Sequence, residues 1–224
     1  SAEQVGGLSA AQIGYLGTDV SGLSQAALGA LTATQLAGLS SSQAAALSAA
    51  QLGYLGTAVS GLSESALDAL TITQIGGLSP AQVVMLSATQ VADLGSDLSG
   101  LSQSAMEALT ATQVGRLSVD QVSALSPAQI GFLGSAISGL SDSAAGALSA
   151  LQVDALSSVQ ITALGAQVAD LSTRALSSLN STQIAAIGAV GLSALSVSQL
   201  RLLGINGVSA SEDNESRSKK DSNS

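Results

Sequence analysis

One eight-residue phrase, L-[ST]-x-x-Q-[ILV]-x-x, recurs along most of this 224-residue chain and constrains its fold more than any other feature. Ser or Thr at the second position is a preferred N-cap, and Gln three residues later can bond back to the backbone N–H of the cap, which completes a capping box. The apolar residues before the cap and four after it form a hydrophobic staple. Both prolines, Pro80 and Pro127, directly follow a cap serine, at the helical position that favours proline. Each phrase therefore predicts the start of a helix.

The spacing of the phrases limits the length of these helices, because the next cap arrives eight residues later. Helices of less than two turns are unstable alone in water, so they must stack their Leu and Ile/Val faces on neighbours. Four such phrases and one heptad form a 39-residue super-repeat, which recurs at 8–46, 47–85, 86–124 and 125–163. Nested periods of this size are typical of solenoids. We predict an all-α solenoid of very short capped helices.

Three other folds are less compatible with the phrase. One continuous helix would place the apolar residues on a drifting path rather than on a single stripe. The mean hydropathy of +0.46 and an uncharged run at 20–63 suggest membrane helices, but Ser, Gln and Gly in almost every unit argue against membrane insertion. The main alternative is a β-solenoid, which requires period-2 alternation and stronger strand formers than Ala, Gly and Gln.

The composition argues against catalysis and against nucleic-acid binding. Neither Cys nor His is present, so the usual nucleophile pairs and the commonest metal ligands are missing. No nucleotide-binding, metalloprotease or EF-hand motif occurs, and the acidic residues are spread singly. A formal net charge of -9 repels phosphate backbones and anionic lipids. We predict a protein that is not an enzyme and that has no cofactor, no metal site and no nucleic-acid partner.

The domain organisation follows from where the phrases stop. Residues 1–208 form the predicted repeat solenoid, and residues 209–224 form a predicted disordered tail, since 211–224 contain no apolar residue. The chain opens with SAEQV, which fits a phrase without its leading Leu. We therefore expect the chain to be a mature or excised piece of a longer array.

The glutamines of the phrase are the most regular polar feature, and two functions compete for them. A ladder of amides can bind a polymer or associate with itself in amyloid fashion. The spacing from Ser or Thr to Gln, however, is the one that a capping box requires, which favours a structural role. The residues concerned are Gln12, Gln35, Gln43, Gln51, Gln74, Gln82, Gln90, Gln113, Gln121, Gln129, Gln152, Gln160, Gln183 and Gln199.

The heptads, such as LGTDVSG at 16–22, exchange the cap for Gly and lack the Gln. Their glycines predict a backbone bend at one corner of each 39-residue coil. Asp19 and Asp97 share a heptad position with Ala58 and Ala136, so an acidic cation site is not repeated. The heptads therefore predict corners and not metal sites.

Three aromatic residues, Tyr15, Tyr54 and Phe132, lie 39 or 78 positions apart, with Asp93 in the intervening slot. If one super-repeat makes one coil, these side chains stack in a column. An aromatic column is a candidate partner-binding stripe, since aromatic residues are enriched at interfaces. The alternative is that they cover the core beside a corner.

The L-[ST]-x-x-Q-[IV] phrase, over residues 1 to about 203, resembles the tandem repeats of large, acidic, cysteine-free surface or secreted proteins of Gram-negative bacteria, which are often adhesin-like. The resemblance implies an extracellular or cell-surface location and a structural function as an extended scaffold or spacer. A protein or glycan at the cell surface is the expected partner, and self-association is a second expectation. The alternative function is a binding module that recognises a protein or glycan through an exposed repeat face.

Overall fold

The computed structural model describes residues 1–205, and this part of the chain is mostly helical and contains no β-strand. The all-α prediction is confirmed, and the β-solenoid alternative is wrong. Within the same residues, no helix combines the length and the apolar character needed to cross a bilayer. The predicted tail at 209–224, together with 206–208, lies outside the described residues.

The elements are short and follow one another with little intervening chain. The α-helices are α1 Ala2–Gly6, α2 Ala10–Gly14, α3 Gln25–Leu28, α4 Ala33–Leu36, α5 Ser41–Ala46, α6 Ala49–Tyr54, α7 Glu64–Asp68, α8 Ile72–Ile75, α9 Pro80–Met85, α10 Ala88–Asp93, α11 Gln103–Glu107, α12 Ala111–Val114, α13 Val119–Ala124, α14 Pro127–Phe132, α15 Asp142–Gly146, α16 Ala150–Asp154, α17 Ser158–Leu164, α18 Thr173–Leu176, α19 Ser181–Ala185, α20 Ala189–Ala194 and α21 Val197–Leu202. Five 3₁₀ helices occupy the heptads: η1 Gly17–Gly22, η2 Gly56–Gly61, η3 Gly95–Gly100, η4 Gly134–Gly139 and η5 Gly165–Asp170.

The predicted capping boxes are confirmed at every glutamine named above, and Ser1 and Gln4 form one more. At the start of α9, Ser79 has extended backbone angles, its Oγ accepts from the backbone N–H of Gln82 at 3.3 Å, and Gln82 Oε1 accepts from the N–H of Ser79 at 3.0 Å. These bonds satisfy N–H groups that a helix start otherwise leaves without partners. Side-chain capping thus fixes where the α-helices begin, except α20, which follows Gly188 and has no side-chain cap.

The heptads bend the backbone, as predicted, but they are not irregular corners. Gly17, Gly56, Gly95 and Gly134 have φ between 51° and 55°, a region that favours glycine, and each opens a 3₁₀ helix. Each 3₁₀ helix has a buried apolar residue at its centre, such as Val59 in η2. The heptad therefore acts as a further stacked element, of a tighter type.

Each element packs most closely against the element three places along the chain: α1 against α3, α2 against α4, and η1 against α5. The approach is close enough to require small residues. A Cβ at Gly61 would lie 2.0 Å from the carbonyl oxygen of Ala33, and one at Gly139 would lie 1.9 Å from that of Ala111. The chain therefore returns to the same neighbourhood after three elements.

Glutamine side chains add a second relationship, to the element four places back. Gln74 Nε2 donates to the carbonyl of Ala44, 30 residues earlier, at 3.0 Å, and Gln160 Nε2 donates to that of Ile130 at 2.9 Å. We call the three to four elements between packed partners a turn, and these side-chain bonds inter-turn bonds. A super-repeat has five elements, so it exceeds one turn. The prediction that one super-repeat makes one coil is wrong.

The interior is a continuous cluster of Leu, Ile, Val and Ala. The leading Leu of the phrase is buried through most of the chain, and Leu78 is only 2% exposed. The residue after the glutamine, such as Val83 in α9, is fully buried as well. Both partners of the predicted staple therefore belong to the core. Of the residues between them, Ser79, Pro80 and Ala81 are exposed, whereas Gln82 is buried.

Candidate functional site

The glutamines are occupied by structural bonds, and several are buried. Gln113 is a representative case: its Oε1 accepts from the N–H of Thr110 at 2.8 Å, while its Nε2 donates to the carbonyls of Val83 and Leu86, both at 2.8 Å. Only 3% of its surface is exposed. An amide used in this way is not available to a polymer or a partner, so the structural interpretation of these residues is the one that fits.

The inter-turn bonds are a role that the spacing alone did not predict. A capping box accepts either Glu or Gln at its third helical residue. Every capping box among the described residues uses Gln, although Glu occurs elsewhere in the chain. A Gln side chain has an N–H group in addition to the oxygen that bonds to the cap, whereas an ionised Glu side chain does not. The exclusive use of Gln was therefore the signal in the sequence for a second bond.

The three aromatic residues all lie at the carboxyl ends of helices. Tyr15 is the C-cap of α2, Tyr54 is the last residue of α6, and Phe132 is the last residue of α14. Tyr15 is 88% exposed and Tyr54 is 38% exposed, whereas Phe132 is partly buried and packs against the core. The environments of these three side chains therefore differ.

The predicted aromatic column is not formed. Packing and inter-turn bonds join elements three and four places apart, whereas α2 and α6 are five places apart and α6 and α14 are ten. A Cβ at Gly29 would be 3.4 Å from the carbonyl oxygen of Tyr54, so Tyr54 lies instead against α3. The prediction that these residues share one column is wrong, and their role in binding a partner stays a prediction.

Asp93, in the slot between the aromatic positions, has an unusual electrostatic environment. Burial raises the pKa of its carboxyl, and the carboxylates of Glu64 and Asp68 raise it further. These two residues lie on α7, which packs against α10. A second case is Asp170, whose pKa is raised by burial and by Asp142. Carboxylates thus meet across turns at two places.

The heptad acids Asp19 and Asp97 lie in η1 and η3, in the first turn of each 3₁₀ helix. Within residues 1–205, no group of three or more acidic side chains is arranged to hold a metal ion.

Exposed apolar side chains are a feature that the sequence analysis did not single out. Leu151 is 73% exposed and Val159 is 67% exposed, and both occupy the fourth position of the phrase. Most other phrases carry Ala, Ser or Thr at the fourth position. A large apolar residue there was therefore the signal in the sequence for an exposed apolar side chain.

Comparisons with known proteins were made by sequence and by structure. No protein-family model, no curated protein and no solved structure matches this chain.

Proposed function

We propose that the chain is a solenoid of very short capped helices and serves as a non-catalytic, extended scaffold or spacer at a bacterial cell surface or in an extracellular matrix. One observation carries this proposal: each element packs against the element three places along, and inter-turn bonds reach one place further. A chain that uses only these two relationships grows along one axis. Its length then scales with the number of repeats, which is what a spacer requires.

Small-angle X-ray scattering tests the extended shape. The 21 α-helices and five 3₁₀ helices of residues 1–205 make about seven turns of three to four elements, and packed helices lie about 10 Å apart, so the array is about 70 Å long. An array of that length has a radius of gyration of about 22 Å, against about 17 Å for a compact domain of the same size. The matched sample is the chain ending at residue 208. A value near that of a compact domain would contradict the solenoid.

The surface location rests on the resemblance of the phrase to bacterial surface repeats, and it needs its own test. An antibody against residues 1–205 should label intact cells of the source organism as strongly as permeabilised cells. Brief protease treatment of intact cells should remove that signal while it spares a cytoplasmic marker. Labelling that requires permeabilisation would contradict the surface location and leave the fold proposal intact.

A binding module for a protein or glycan is the second candidate, and the 38% exposure of Tyr54, a tyrosine within the array, is the observation that favours it. A glycan array or a pull-down with purified surface components measures such binding. The Tyr15→Ala, Tyr54→Ala double variant should lose it. The matched control is Val84→Ala plus Val190→Ala, which removes two other exposed apolar side chains. Equal binding by both double variants would contradict a role for the tyrosines.

A further inference from the structure

One contact between turns differs from its equivalents because three carboxylates meet there. Asp93 is the last residue of α10, and α10 packs against α7, which carries Glu64 at its start and Asp68 at its end. Asp93 is only partly exposed. A carboxylate in this place has lost part of its hydration and lies near two others of the same charge.

The equivalent contacts elsewhere show how close the two chain segments come at this position. Asp93 occupies the eighth position of its phrase, and Glu64 occupies the third position of the phrase three elements before. One super-repeat earlier, a Cβ on Gly29, the equivalent of Asp68, would lie 3.4 Å from the carbonyl oxygen of Tyr54, the equivalent of Asp93. The last residue of α10 therefore lies at the carboxyl end of the helix three elements back.

The super-repeats on either side carry Tyr54 and Phe132 in the slot of Asp93. The helices that face these aromatic residues are α3 and α11. The equivalents of Glu64 and Asp68 are Gln25 and the C-cap Gly29 at α3, and Gln103 and Glu107 in α11. At the contacts of Tyr54 and Phe132, an aromatic residue thus faces a helix end region with at most one acidic residue. At the contact of Asp93, a carboxylate faces a helix with two.

We propose that the contact between α7 and α10 is a pH-sensitive joint, which charge repulsion holds looser at neutral pH than the equivalent contacts and which protonation of Asp93 tightens. The proposal depends only on the packing of these two helices, and not on where the protein works.

The remaining charged groups around α10 do not reverse this sign. Of the elements packed against it, α12 carries no charged residue, although Arg116 follows it, and η3 carries Asp97. Asp120 lies on α13, whose Gln121 donates to the carbonyls of Ala92 and Gly95. The carboxylates outnumber the one guanidinium, so ionisation of Asp93 adds negative charge to negative surroundings.

The direction of the pH dependence follows from the raised pKa of Asp93 in the folded protein. The folded state holds this proton more tightly than the unfolded state, so the stabilising effect is complete below the ordinary aspartate pKa of about 3.9. It is lost as the pH rises through the higher folded value. At neutral pH, the ionised carboxyl therefore weakens the joint.

Hydrogen exchange measured by mass spectrometry at pH 7.5, 5.5 and 4.0 tests the joint in the full chain. With intrinsic exchange rates divided out, protection in α7 and α10 of the native protein should rise several-fold as the pH falls, and more than in α12 or α16. In Asp93→Asn, protection of both helices should already be high at pH 7.5 and should not change further with pH. Asp93→Tyr, which introduces the residue found 39 positions earlier at Tyr54, should behave in the same way.

Two measurements separate this joint from a general charge effect. Asp154→Asn is the matched control, because Asp154 is also the last residue of its helix and is exposed; protection of α7 and α10 should keep its pH dependence in this variant. High salt should reduce the difference between the native protein and Asp93→Asn at pH 7.5. If the two helices of Asp93→Asn still tighten on acidification, or if the native helices respond no more than α16, the proposal is overturned.

Discussion

The side-chain amide of Gln113 donates to the carbonyl of Val83, 30 residues earlier, at 2.8 Å, while its oxygen accepts from the cap of its own helix. One side chain thus starts a helix and joins it to the turn before. Gln12 makes the same capping box with Ser9 but is exposed, and no inter-turn bond of Gln12 is formed within residues 1–205.

This difference predicts unequal costs for the same substitution. Gln113→Ala removes the Nε2 donor from the buried carbonyls of Val83 and Leu86, and only that of Val83 keeps another bond, from the N–H of Leu86, so the substitution should lower the free energy of unfolding by about 2–4 kcal/mol. Gln12→Ala removes only a capping bond and should cost about 0.5–1 kcal/mol. Urea unfolding followed by circular dichroism measures both values. Equal losses would mean that the inter-turn bonds add nothing to stability.

Glutamate at the same position separates the two bonds. Gln113→Glu keeps an oxygen for the cap but turns a carboxylate towards the carbonyls of Val83 and Leu86, so we expect it to be at least as destabilising as alanine at neutral pH. Gln12→Glu should be nearly neutral, since Glu also completes a capping box. Thermal melts of the pair at pH 7 check this contrast, and a stable Gln113→Glu protein would contradict the bonding described for Nε2.

Two glycines in the same region should respond to alanine in opposite directions. At both Gly131, in α14, and Gly134, at the start of η4, a Cβ would meet nothing within 4 Å. Gly134 has φ of 51°, so Gly134→Ala should cost about 1–2 kcal/mol of backbone strain. Gly131 lies in a helix, so Gly131→Ala should be neutral or stabilising by up to about 1 kcal/mol. Melting temperatures that shift in the same direction would show that φ does not decide the outcome.

The leading leucine of each phrase should behave as a core residue. Leu78 is 2% exposed, so Leu78→Ala should cost about 2–5 kcal/mol in the free energy of unfolding. Val84, six residues later and 50% exposed, is the matched surface position, where alanine should cost less than about 0.5 kcal/mol. A small loss at Leu78 would remove the argument for the hydrophobic staple.

The five-element pattern predicts which deletions the array tolerates. Removal of residues 86–124 deletes five elements, so η4 then follows α8 by three places, as η3 does in the native chain. Gly139 would meet Ile72, where Gly100 lies close to it now. We expect a soluble, cooperatively folded protein with a modestly lower melting temperature.

Removal of residues 86–93 alone takes out α10 and shifts this pairing. Gly100 would then approach the start of α7 instead of Ile72, and Gln113 would be four places from α8 instead of α9. This shorter deletion should therefore lose more stability. Thermal melts of the two proteins decide the matter, and a more stable eight-residue deletion would show that the super-repeat does not govern the packing.

Local structure was predictable from the sequence to a greater extent than the winding of the chain. The start of α9 follows from Ser79, Pro80 and Gln82, because capping depends only on residues that are neighbours in the chain. The number of elements in a turn depends instead on how closely α4 and η2 approach, which Ala33 and Gly61 determine through backbone contact. A sequence period does not report that distance, so the 39-residue repeat was mistaken for the coil.

The surroundings of the aromatic residues could not be predicted from the sequence either, because they too depend on the number of elements in a turn. Their spacing is real, but Tyr15 and Tyr54 lie five elements apart, and the residues that each one meets depend on the turn size. The carboxylate contact at Asp93 was missed for that reason too, since Glu64 and Asp68 are distant in sequence. Knowledge that α10 packs on the helix three elements back would have found it.

The mismatch between a five-element repeat and a turn of three to four elements also determines how the surface is displayed. Equivalent side chains in successive super-repeats point in different directions around the axis, because five elements are not a whole number of turns. A ligand that recognises one copy finds the next copy on another side of the molecule. Added super-repeats therefore spread the equivalent positions around the molecule and do not align them along one edge.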